Sequence, residues 1–188
     1  MKVSREQAAL NRERIVETAA RLFREKGFDG IGVADLMKGA GLTHGGFYGH
    51  FASKEVLLAE ACGKALEKSV DKWRKLADGA PARPVAAIAE SYLSLAHRDN
   101  AGKGCAVSSL GMDVSRAGPE VRQAMSDGVQ AQLALLAGLE PGADDAAKRQ
   151  RAIADYASMV GGLVLSRVMA DPARSEEVLA AVMAGLQR

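Results

Sequence analysis

The sequence predicts an all-α fold of about nine helices, and three observations carry that prediction. Ala occupies 35 of 188 positions and Thr only two, a balance that favours helix because Ala loses no side-chain entropy on ordering. Apolar residues recur at three- and four-residue steps, and Gly and Pro fall between the periodic runs. All four Phe (Phe23, Phe28, Phe47, Phe51) lie in the first 51 residues, which divides the chain into an N-terminal unit over 1–53 and a second helical unit over 54–188.

Taken in order, Ile15, Ala19, Leu22 and Phe23 set a helix over 12–26, stopped by Gly27. A short helix over 33–40 turns Leu36 and Met37 inward, Gly41 supplies a left-handed turn, and Thr43 caps a third helix over 43–50. Ser53 opens a long helix over 53–78 with the inward stripe Leu58, Cys62, Leu66, Val70, Trp73 and Leu76. Pro81 and Pro84 precede a helix over 85–98, and further helices are expected over 105–115, 119–139, 144–170 and 175–186.

Charge and cysteine usage narrow the function. The net charge of +2 is too small to indicate a polyanion partner, but residues 1–54 carry nine Lys/Arg against six Asp/Glu, so any such partner should meet the N-terminal unit. Cys62 and Cys105 form no disulfide or zinc pattern, and the N-terminus is charged where a signal peptide is apolar, so the expected compartment is the cytoplasm. The longest uncharged apolar stretch, 156–166, is well short of the roughly 20 residues a membrane helix needs. No membrane partner, metal or cofactor is expected. Catalysis finds little support: His97 and Cys105 lack an orienting third residue, and Gly102-Lys103-Gly104 lacks phosphate-loop spacing.

Residues 33–48 have the helix-turn-helix form, a short helix, a Gly turn and a capped second helix that can enter a major groove about 12 Å wide. The run Leu42-Thr-His-Gly-Gly-Phe-Tyr-Gly-His-Phe51 followed by Ser53-Lys54-Glu55 resembles the TetR family of bacterial one-component transcription regulators. The family's pattern, Ser/Thr-Lys-Gly-Thr-Leu-Tyr-His-Tyr-Phe and then Ser-Lys-Glu, is met by Thr43, Gly45, Tyr48, Phe51, Ser53, Lys54 and Glu55. It is departed from at His44, Gly46, Gly49 and His50.

The resemblance covers about residues 12–60 and implies a ligand-responsive regulator, a repressor that binds a palindromic double-stranded DNA operator as a homodimer. DNA contacts are expected from Thr43, His44, Gly45, Gly46, Tyr48, His50 and Lys54, with Phe47 and Phe51 as core. The two Gly of the second helix either permit close backbone approach to DNA or let it order on binding. Lys2, Arg5, Arg12 and Arg14 are either an arm for the phosphate backbone or plain surface charge.

In the second unit, Trp73, Tyr92, Cys105, Met112, Met125 and Tyr156 either line a pocket for a small-molecule effector or are ordinary core. Cys105, after Lys103-Gly104 at a helix start, is either an electrophile or oxidant sensor or a small buried hydrophobe. Val160, Gly161, Gly162, Val164, Val168, Val178 and Val182 form apolar faces on the last two helices, read as a dimer interface or as packing within the monomer.

Overall fold

The computed structural model describes residues 4–142 and 144–186. Among these are nine α-helices and two short 3-10 helices, with no strand. The α-helices are α1 (Arg5–Lys26), α2 (Val33–Gly39), α3 (Lys54–Gly79), α4 (Pro84–Tyr92), α5 (Leu95–Asp99), α6 (Ala106–Arg116), α7 (Pro119–Leu139), α8 (Asp145–Val168) and α9 (Pro172–Leu186).

Helix α1 starts earlier than its apolar periodicity suggests because Ser4 caps it, accepting a hydrogen bond from the Gln7 N–H at 3.1 Å. Ser53 caps α3 in the same way through the Val56 N–H, and Asp144 caps α8. The helix expected over 85–98 is two helices. Ser94 leaves helical geometry and its hydroxyl accepts the His97 N–H, which starts α5 afresh.

The chain has two apolar cores. The first packs Ile15, Phe23, Leu36, Met37, Phe47 and Phe51 against the first half of α3 and reaches Leu110 and Val114 of α6 and Val121 and Met125 of α7. The second joins Trp73, Ile88, Tyr92, Leu136, Met159 and Leu163 with Leu179 and Leu186 of α9. Helix α3 contributes to both. Its 26 residues extend about 39 Å at the rise of an α-helix, so it joins the N-terminal unit to the interior of the second.

Candidate nucleic-acid interface and regulatory cleft

The helix-turn-helix forms as its residues dictate, with one difference. Gly41 turns the chain at φ +70°, where a Cβ would be strained. The following segment is a 3-10 helix over His44–Gly49 rather than an α-helix. Three of its six residues are Gly, which removes the propensity that would extend it. Thr43 stands at its N-cap but makes no side-chain cap bond, so its exposed hydroxyl remains free for an outside partner.

Phe47 is fully buried and stacks at 5.8 Å on Phe51, while Tyr48 meets its edge at 5.2 Å and is 71% exposed. The buried ring thus presents the neighbouring phenol to solvent. His44 and Gly45 are exposed beside it, and Gly46 and His50 are half-buried.

Lys54 differs from the expectation. Its ammonium donates to the Phe28 carbonyl and sits 4.2 Å from the Phe28 ring centroid, so part of its bonding capacity is used inside the protein. Arg12 is likewise engaged, paired with Glu60 and stacked over Phe51 at 4.7 Å. Arg5 and Arg14 are exposed, and Lys2 lies outside the described residues.

The turn after α1 is held from two sides. The Phe28 N–H donates to Asp113 of α6 at 2.9 Å, and its carbonyl receives Lys54 of α3. Nearby, Arg24 of α1 donates through Nε to the Gly102 carbonyl at 3.0 Å. The Glu25 carboxylate packs closely on Gly102, where an added Cβ would lie 2.2 Å from Oε1 and push that side chain aside. The N-terminal unit is therefore bonded directly to the elements that enclose the second unit's interior.

Beneath α1 lies a cleft of about 680 Å³ between α1, α3, α4, α5 and the loop 100–105, and Trp73, Tyr92 and Cys105 line it. Behind them runs a buried polar chain: Tyr156 donates to Gln132 at 2.6 Å, Gln132 donates to Ser69 at 2.9 Å, and Cys105 Sγ lies 3.8 Å from the Tyr156 hydroxyl. Burial raises the Tyr92 and Tyr156 phenols above their ordinary range, so both stay protonated.

His97 accepts the Cys105 N–H at Nε2 (2.8 Å), which leaves Nδ1 to donate to the Tyr92 carbonyl (2.6 Å). Protonation would break the first bond. Burial, followed by the cations Arg167, Lys72 and Arg24, brings His97 down to about 4.

Two expected pocket residues do not belong here. Met112 faces outward on α6 and is 69% exposed, and Met125 is buried in the first core among the residues of the N-terminal unit. The expected dimer face also divides. Gly162 packs inward, where an added Cβ would lie 3.0 Å from Val182 of the same chain, so this pair joins α8 to α9 within the monomer. Val160, Gly161 and Val178 are half-buried. Val164 and Val168 are exposed, with Leu165 and Met169 beside them. Arg24 and Gln132 escaped sequence reasoning because their partners lie 78 and 63 residues away with no periodic relation to them, and His97, considered there only as half of a catalytic pair with Cys105, instead accepts the Cys105 backbone N–H.

No helix among the described residues is long and apolar enough to cross a membrane. A family model described as bacterial regulatory proteins, tetR family, matches residues 15–61. The chain is 31% identical over 88 residues to the uncharacterized HTH-type transcriptional regulator YerO of Bacillus subtilis (strain 168), covering 47% of this chain and 30% of that protein. It is 28% identical over 138 residues to the HTH-type transcriptional repressor NemR of Escherichia coli (strain K12), covering 71% and 69%. The crystal structure of the reduced form of E. coli NemR superposes with a TM-score of 0.78 at 24% identity, over 94% of this chain and 95% of that one. Residues 15–61 therefore carry the helix-turn-helix segment of bacterial regulatory proteins of the tetR family, and the all-helical architecture over nearly the whole length is the fold of such solved regulators.

Proposed function

We propose that the protein is a cytoplasmic repressor that binds a palindromic operator as a homodimer and leaves it when a small molecule, an electrophile or an oxidant acts on the cleft. The observation that carries this reading is the buried Phe47 and Phe51 pair holding Tyr48 and Thr43 outward on a turn rich in Gly. Hydroxyls so placed bond phosphate oxygens and set register, and the Gly backbone admits close approach to the duplex.

The exposed Val164, Leu165, Val168 and Met169 support an interface at the end of α8, since unpartnered apolar clusters on this scale mark contact surfaces. Two subunits supply the two half-sites of a palindrome. Coupling would run through Arg24–Gly102 and the two bonds on Phe28, which tie the DNA unit to the cleft walls. Cys105 favours the reactive variety of signal: it is the N-cap residue of α6, it lies on the cleft wall, and its Sγ is 3.8 Å from the Tyr156 hydroxyl.

Enrichment of random duplexes on the purified protein tests the reading. It should return a palindrome, and Tyr48→Ala should weaken binding to all duplexes alike by about 1 kcal/mol. Lys54→Ala should lower the salt slope by about one where its remaining donors reach phosphate. Val168→Glu should give monomers in light scattering. Parent-like binding by Tyr48→Ala sinks the DNA-contact assignment, and an intact dimer in Val168→Glu moves the interface elsewhere.

A further inference from the structure

The cleft beneath α1 has a charge pattern that its apolar wall does not explain. Six of its lining residues are Lys or Arg and one, Glu17, is acidic. Lys68 is neutralised by Glu17 at 2.6 Å, Arg21 by Glu25 at 3.0 Å, and Lys64 weakly by Glu67 at 3.8 Å. Arg24, Lys72 and Lys103 have no ion-pair partner among the described residues, although they come from three separate elements and border one cavity. Of these, Arg24 is the most enclosed, and burial lowers its guanidinium from the ordinary value while its bond to the Gly102 carbonyl fixes its position. Glu25 is close enough to act on its charge but forms no ion pair with it, and a partly desolvated cation bonded only to a carbonyl gains from a further anion.

The same cavity has an apolar end. Trp73 and Tyr92 meet edge to face at 6.1 Å.

We propose that this cleft binds a small organic carboxylate, its charged end held by Arg24 with Lys72 and Lys103 and its apolar tail against Trp73 and Tyr92. The volume of about 680 Å³ falls inside the usual span of ligand sites and leaves room for a small carboxylate with an apolar tail. Arg supplies a planar fork matched to a carboxylate, which a lone Lys does not. The occupant draws Arg24 away from Gly102, loosening the bond between α1 and the loop, and in this way it changes the setting of the DNA unit. This inference rests on the reading of the cleft as the effector site.

Trp73 is the sole tryptophan, so its emission reports the cavity without a label. Titration with phenylacetate and with hexanoate should give a saturable change for at least one of them. Phenylacetamide, the neutral analogue, should bind at least ten-fold more weakly, and so should acetate and inorganic phosphate, which carry charge without a tail. Arg24→Gln should weaken the carboxylate at least ten-fold. Lys72→Gln, an exposed change that spares the fold, should weaken it several-fold. Amide binding equal to carboxylate binding, or no saturable change with either carboxylate, overturns the proposal. Phosphate binding equal to carboxylate binding overturns the organic tail. A chain that still selects a palindromic duplex while ignoring both carboxylates loses this inference and keeps the repressor reading; one that binds phenylacetate and selects no duplex does the reverse.

Discussion

The two cores differ in what they hold. The first, around Phe23, Phe47 and Phe51, is made of aliphatic and aromatic side chains with Cys62 and two Met, whereas the buried polar side chains Gln132, Asp155, Ser166 and Ser175 among the described residues all belong to the second unit. The second core also contains Tyr92, Tyr156 and Cys105. An apolar core sets shape by packing alone and gives the recognition turn a rigid base. A core with hydrogen-bonded polar groups has alternative partners for them, which is the property a responsive interior needs.

The largest expected effect tests the rigid half. Phe47→Ala removes a fully buried ring and should cost about 3–5 kcal/mol in denaturant unfolding, with loss of DNA binding even in the surviving folded fraction. A cost below about 1 kcal/mol would show that the first core is not the rigid one.

The next effect belongs to the second core. Tyr156→Phe leaves the Gln132 carbonyl oxygen without its 2.6 Å donor and should cost about 1–3 kcal/mol. Adding Gln132→Leu to that variant should recover much of the loss, because the buried Gln132 oxygen is then removed and the Ser69 hydroxyl that loses its donor borders the cleft, where water can replace it. Simple additivity of the two changes in a double-mutant cycle would deny the coupling.

A comparable effect depends on pH. Folding lowers His97 from its ordinary value to about 4, so between pH 6.5 and 4 the unfolded chain binds a proton that the folded chain refuses. Stability should therefore fall as pH drops through that window, by on the order of 2 kcal/mol, and be fully present above it. His97→Gln should flatten this part of the stability profile. An unchanged slope would remove His97 as its source.

The smallest effect is kinetic. Burial pushes the Cys62 thiol up to about 12, so near neutral pH almost none of it is thiolate. Iodoacetamide should label Cys105, on the cleft wall, before Cys62 in the first core. Equal rates would mean that the two interiors open together.

Much of this was legible along the chain. The caps Ser53 and Asp144, the turn at Gly41 and the buried stripe from Leu58 to Trp73 all follow from local rules. So does the identity of the DNA unit, since its signature residues sit within 13 positions of one another. The site in the second unit was only half legible. Trp73, Tyr92 and Cys105 meet at one cavity, but Met112 turns to solvent and Met125 to the other core, because residue type indicates burial without saying in which cluster.

The sequence by itself determined most of the helices, several of their caps and the helix-turn-helix, because each depends on backbone propensity and spacing within a few turns, whereas the break at Ser94 and the 3-10 geometry of 44–49 appeared only in the structure. Tertiary structure alone decided three things. It set the pairing of Gly162 with Val182, the commitment of Lys54 to Phe28, and the convergence of Arg24, Lys72 and Lys103 on one cleft. The physical reason is distance along the chain: helical periodicity fixes which face of a helix is apolar, while only packing fixes which distant residue that face meets.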